Sequence, residues 1–87
     1  MKEYKIDGKV VKQILPPDPT DTDRHPRLLF DGWGVHAGQV FEAWIPGEGF
    51  KRISVEMSWE REGFRCWYIA TEGYRDICPV GLWCAVK

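Results

Sequence analysis

Apolar and polar positions alternate with a period of two in short segments of this chain, at Tyr4 and Ile6 and again at Ile53, Val55 and Met57, the spacing of half-buried β-strands. Tyr4 and Ile6 alternate with charged neighbours, Asp7-Gly8 forms a favoured two-residue turn, and Val10, Val11, Ile14 and Leu15 follow. Residues 3–15 are therefore predicted to form a β-hairpin, the Asp-Gly pair supplying the positive φ values of a type I′ turn. Leu28-Leu29-Phe30 reads as a short strand ending at Asp31-Gly32, with Trp33-Gly34-Val35 after it. Strands from Gly38 to Ile45 and from Phe50 to Met57 flank the turn Pro46-Gly47-Glu48-Gly49, which makes a second hairpin.

The second hairpin carries a conflict. Pairing Ile45 with Phe50 puts Phe41, Ala43 and Ile45 on the face of Phe50, Arg52 and Ser54, while Ile53, Val55 and Met57 face the other way. A one-residue slip flips every side chain, so a bulge or a different loop register is expected near Phe50–Arg52. Beyond the polar turn Glu60-Arg61-Glu62-Gly63, Phe64 to Ala70 reads as a strand, with Cys66, Tyr68 and Ala70 opposite Arg65, Trp67 and Ile69. Thr71 to Pro79 reads as a loop or a single helical turn, and Gly81 to Val86 as a closing strand apolar enough to sit inside a sheet.

No stretch shows the 3.6-residue period of an amphipathic helix. Short strands split by Gly and Pro turns predict an all-β fold: a small SH3-like barrel or a strongly bent antiparallel sheet. Residues 1–87 are expected to form a single domain, with the 3–15 hairpin, an exposed proline-rich loop over 16–27 and a β-barrel core over 28–87. The loop contains Pro16, Pro17, Pro19 and Pro26, which block ladder donation, and no apolar side chain that would anchor it is evident. Loops this long in small domains are often functional, but an acidic solvated connector is the simpler expectation.

Composition adds a second signal. The chain holds five tryptophans among 87 residues, and aromatics make up 14% of it. At this size folding buries only about 60–65% of the unfolded surface, so some of these rings must be core. Twelve basic against thirteen acidic side chains give a net charge of −1, which disfavours non-specific binding to a polyanion. The basic and acidic residues of the second half are interspersed, as on an ordinary solvated surface. Cys66, Cys78 and Cys84 are odd in number and lack a close CxxC pair, so they are expected to be buried reduced thiols rather than a disulfide framework. Four metal ligands at recognisable spacing are missing, with His25 and His36 far upstream of the cysteines, and no metal or cofactor is expected. The first residues lack the apolar core of a secretory signal, and a cytoplasmic location is the default.

The run Val35-His36-Ala37-Gly38-Gln39-Val40-Phe41-Glu42-Ala43-Trp44-Ile45-Pro46-Gly47, followed by Phe50-Lys51-Arg52-Ile53-Ser54-Val55-Glu56, resembles a family pattern. It is similar to short uncharacterised proteins of bacteria and phages, carried on mobile elements of Gram-positive bacteria. These have a histidine and glycine before an F/L-E-V strand, a glycine turn, an aromatic and an R-I-E strand. Trp67-Tyr68-Ile69 and Gly81-Leu82-Trp83-Cys84-Ala85-Val86 are similar to the family's W-Y-L and terminal G-L-x-V strands. The resemblance covers about residues 28–86, and Ala43 and Ser54 depart from it where more typical β residues stand. It implies a compact SH3-like β fold and no established activity.

Candidate sites follow from the aromatics and the charges between them. Catalysis needs a nucleophile with a base, or carboxylates with separated pKa values. The cysteines have no neighbouring histidine, and Glu42 and Glu56, if they face each other, have Lys51 and Arg52 close enough to pair with them. Phosphate cradles of the GxxxxGK type are absent, so no enzyme is expected. His36 could cap a turn or donate to a ligand, and His25 is expected to be solvated. Tryptophan and arginine dominate protein–protein hot spots and also stack bases. Trp33, His36, Trp44, Arg52, Trp59, Arg65 and Trp67 are the expected partner-binding residues. Trp83 is the expected core indole, and Trp33 and Trp59 the two expected to touch a partner.

The expected role is a small non-enzymatic module, phage or mobile-element encoded, that docks on a host protein and inhibits or sequesters it. Two alternatives stand beside it: a small barrel binding a nucleotide or single-stranded nucleic acid, and a structural subunit of a homo-oligomer that buries its indoles by self-association.

Overall fold

The computed structural model describes residues 3–86, apart from the side chain of Phe64. It is all-β: β1 Tyr4–Ile6, β2 Lys9–Gln13, β3 Leu29–Phe30, β4 Trp33–Gly34, β5 Gln39–Ile45, β6 Gly49–Met57, β7 Trp67–Ile69 and β8 Trp83–Ala85, with one 3-10 turn of helix at Gly63–Cys66. Six strands form an antiparallel sheet in the order β1-β2-β8-β5-β6-β7, and β3 and β4 form a separate hairpin. Among the described strands β1 and β7 are unpaired edges, so the sheet is open.

The Asp7-Gly8 turn sits where the sequence put it, with φ of 48° and 80°. The β5–β6 hairpin resolves its facial conflict by register. Ile45 pairs with Gly49 rather than Phe50, leaving Pro46-Gly47-Glu48 as the loop, and the Glu48 amide donates to the Ile45 carbonyl at 2.9 Å. Phe41 then pairs with Ile53 and Gln39 with Val55, which gathers Phe41, Ala43, Ile45, Ile53 and Val55 on one face.

That face is the core. Phe41, Ala43, Ile45, Ile53, Val55, Trp67, Ile69 and Cys84 are buried from the sheet side, and Ile14, Leu28 and Val35 close over them. Each fully buried Ile or Leu contributes about 1.5–3 kcal/mol of transfer free energy. The β3–β4 hairpin is held over the core by reciprocal bonds between Leu15 and Leu29, at 2.8 and 3.0 Å. Phe30 meets Phe41 edge-on, with ring centroids 5.1 Å apart.

Two expectations are corrected by these contacts. The strand expected over 64–70 starts as the 3-10 turn, and only Trp67–Ile69 is extended. Cys66 and Trp67 are neighbours and both are buried, which a regular half-buried strand cannot achieve; the 3-10 turn breaks the alternation. Trp83, the expected core indole, is only half-buried, because Cys84 faces the core and its neighbours face away. Its ring meets Tyr4 of the edge strand at 5.2 Å instead.

The proline loop is less free than expected. Pro26 is buried, and its carbonyl accepts from the Trp67 indole at 2.8 Å. The Arg24 carbonyl accepts from the Gly63 amide at 2.8 Å, and the Arg24 guanidinium pairs with Glu62. His25, expected to be solvated, is half-buried and bound to the Trp59 carbonyl at 3.2 Å. Residues 24–26 are thus tied to the segment from Trp59 to Trp67, while Pro16 and Asp18–Thr20 remain exposed.

Candidate functional site

The β3–β4 hairpin turns at Asp31-Gly32, a second Asp-Gly pair with φ of 52° and 82°. Phe30 pairs with Trp33 and Leu29 with Gly34, and the Val35 amide extends the ladder by donating to the Leu28 carbonyl at 2.8 Å. One further step of this register sets Arg27 beside His36. The Arg27 Nη1 donates to the Val35 carbonyl at 3.1 Å and contacts the His36 Nδ1 at 2.8 Å.

A guanidinium only donates, so His36 must accept at Nδ1 and carry its proton on Nε2. The backbone amide of His36 donates to the Gln39 Oε1 at 3.0 Å, which fixes the position of the loop. Gly34 makes the arrangement possible. A Cβ there would stand 2.9 Å from the Arg27 Cδ, so the arginine stem lies directly over the bare glycine.

Arg27 and His36 line an open groove of about 1220 Å³ with Phe30, Trp33, Val40 and Val86. Trp33 is 78% exposed, the most open of the large apolar side chains described. Two carboxylates also line the groove, and each has a cation: Asp31 pairs with Lys12 and Glu42 with Lys9. Among the described residues Arg27 has no carboxylate partner.

The expected site residues do not converge on one surface. Trp33 and His36 line the groove. Trp44 is half-buried and packs edge-on against Phe50 at 5.3 Å, with the Lys9 ammonium 4.8 Å from the Phe50 centroid. Arg52 is exposed and pairs in register with Glu42, on the same sheet face as Trp44. Trp59 is 74% exposed and meets His25 edge-on at 4.8 Å, tied to the proline loop rather than to the groove. Arg65 is exposed on the 3-10 turn. Trp67 is corrected: only 5% exposed, it packs in the core and spends its indole N–H on Pro26, because its register opposite Met57 puts it on the core face.

Arg27 was missed by the sequence reading. The signal was available: a two-residue turn at Asp31-Gly32 continued outward pairs 28 with 35 and 27 with 36.

The thiols are placed for packing. Burial pushes the Cys84 thiol up to about 12 and also raises that of Cys66, so neither is a thiolate near neutrality. Cys78, expected to be buried, is exposed. Glu42 and Glu56 do not face each other, since Glu42 lies opposite Arg52 and Glu56 opposite Tyr68. No group of three or more His, Cys, Asp or Glu side chains able to hold a metal ion occurs among the described residues. No described helix is long and apolar enough to cross a membrane.

No family model, no curated protein and no solved structure matches the chain.

Proposed function

We propose that this chain is a small, non-enzymatic binding module that docks on a protein partner through the groove beside the β3–β4 hairpin, and inhibits or sequesters that partner. The observation that carries the reading is Trp33, whose indole is 78% exposed on the rim of a groove that also holds Arg27 and His36. An open tryptophan beside a positioned arginine has the composition of an interface hot spot. A strand order of β2-β8-β5-β6-β7, with β5, β6 and β7 as consecutive antiparallel neighbours, supports an SH3-like reading of the fold. The resemblance to short proteins of mobile elements supports a phage or mobile-element origin and action in the cytoplasm of a host.

A nucleotide or single-stranded nucleic acid is a second occupant that an indole beside an arginine could serve. Asp31 and Glu42 on the same groove, and a net charge of −1, weigh against a polyanion there.

Affinity capture from a host lysate with the wild type and with Trp33→Ala tests the reading. Wild type should retain a protein that the variant loses, with both chains equally folded and of equal size by gel filtration. Identical captures by the two chains would remove the groove from consideration. A concentration-dependent size that Trp33→Ala abolishes would assign the surface to self-association instead.

A further inference from the structure

The groove is more specific than an apolar patch, because its arginine is built into position and left with a defined set of unused donors. Both contacts made by the Arg27 guanidinium, to the Val35 carbonyl and to the His36 Nδ1, involve Nη1. The Nε and Nη2 edge has no hydrogen-bond partner among the described residues. That edge presents two parallel N–H groups, the fork that matches the two oxygens of one carboxylate. His36, accepting at Nδ1, keeps its Nε2–H as a further donor. The two acids that share the groove are already neutralised by Lys9 and Lys12, so they do not compete for Arg27.

We infer that the groove recognises a carboxylate side chain on an extended acidic segment of the partner, with Arg27 as its fork and Trp33 packing the apolar neighbour of that carboxylate. The inference rests on the groove being the docking surface. A carboxylate fits better than a phosphodiester backbone because the site offers one arginine fork, not a basic track, and holds two acids of its own. Preorganisation is the second part of the argument. The stem over Gly34 and the two contacts of Nη1 hold the guanidinium before any ligand arrives, which lowers the ordering cost of binding.

The test is a titration of the labelled protein, following the Arg27 Nε–H and Trp33 indole N–H resonances. Three probes are used: the capped peptide acetyl-Ala-Glu-Leu-Glu-Ala-amide, its glutamine counterpart, and a short oligothymidylate. The expected result is saturable movement of both resonances by the glutamate peptide, with affinity about tenfold or more above the glutamine peptide.

Gly34→Ala and Arg27→Lys should each erase that advantage. Gly34 has ordinary φ, so the alanine leaves the backbone undisturbed and only displaces the arginine stem. Arg27→Lys keeps the charge and loses the fork. Equal binding of the glutamate and glutamine peptides overturns the carboxylate assignment and leaves the docking reading standing. Preference for the oligothymidylate overturns the acidic-peptide assignment, and so does a failure of all three probes to move either resonance. The docking reading itself is judged separately, by the Trp33→Ala capture.

Discussion

The indole N–H of Trp67 donates to the carbonyl of Pro26 across 2.8 Å, joining the buried end of the proline loop to an edge strand 41 residues away. This bond satisfies a buried indole donor and fixes where the chain enters the β3–β4 hairpin. The position of Arg27, the very next residue, therefore depends on a core tryptophan. The loop is not a passive connector at its C-terminal end.

Trp67→Phe keeps a large ring in the core and removes the donor. The Pro26 carbonyl is then left without its partner at a buried position, which costs about 1–3 kcal/mol. Urea unfolding should show a lower midpoint with an unchanged slope. Limited proteolysis should cut the 16–27 segment faster than in wild type. Equal midpoints and equal cleavage would show that the bond contributes nothing.

The Asp7-Gly8 turn makes a sharper local test. Gly8 has a φ of 80° and nothing within 4 Å of where a Cβ would stand, so any penalty at Gly8→Ala comes from the backbone alone. A left-handed residue other than glycine costs about 1–2 kcal/mol. Thermal unfolding should register that loss. The same substitution at Gly34, where φ is ordinary, should cost less and act on the groove instead.

The Asp7-Gly8 turn and the Pro46-Gly47-Glu48 loop illustrate what could be read from the chain and what could not. Local chemistry placed the first hairpin, since alternation and turn residues agree there. At the second hairpin the same alternation showed that one register had to be wrong, but a turn of Pro46-Gly47-Glu48 admits more than one way of closing. Tryptophan burial was misjudged for a different reason. Trp83 is expected in the core because its closing strand is apolar, and Trp67 at a surface because it alternates with polar neighbours, yet Trp67 is buried and Trp83 only half-buried. Burial here follows the face on which a side chain lies, and that depends on register across strands far apart in sequence. The exposed Trp33 and Trp59 were legible because both flank turns, where glycine and charge leave little to cover a ring.

The cysteines differ in access. Cys66 and Cys84 are 0% exposed, whereas Cys78 lies in the open segment before Pro79. Treatment of the folded protein with a small alkylating reagent should modify Cys78 in minutes and leave the other two untouched on that timescale. Denaturant should release all three. Mass mapping of the modified peptides decides the matter, and rapid labelling of Cys84 in the native state would contradict its burial.

Burial of Cys84 also couples stability to alkaline pH. The thiol is pushed up to about 12 in the fold, against an ordinary 9.0, and the cause is desolvation of the thiolate. A raised folded pKa means that the unfolded chain releases this proton first as pH rises. The stabilisation is fully present below about pH 9 and is lost progressively on the way to about pH 12. By about pH 10.5 the loss from this one group amounts to about 2 kcal/mol. Cys84→Ala removes the titration but leaves a small cavity, so the variant starts less stable near pH 8. Its deficit should narrow by about pH 10.5, because wild type alone carries the Cys84 penalty. Every other group is common to both chains and cancels in the difference. Parallel decline of the two chains in paired urea titrations would show that the Cys84 thiolate is not what destabilises the fold at high pH.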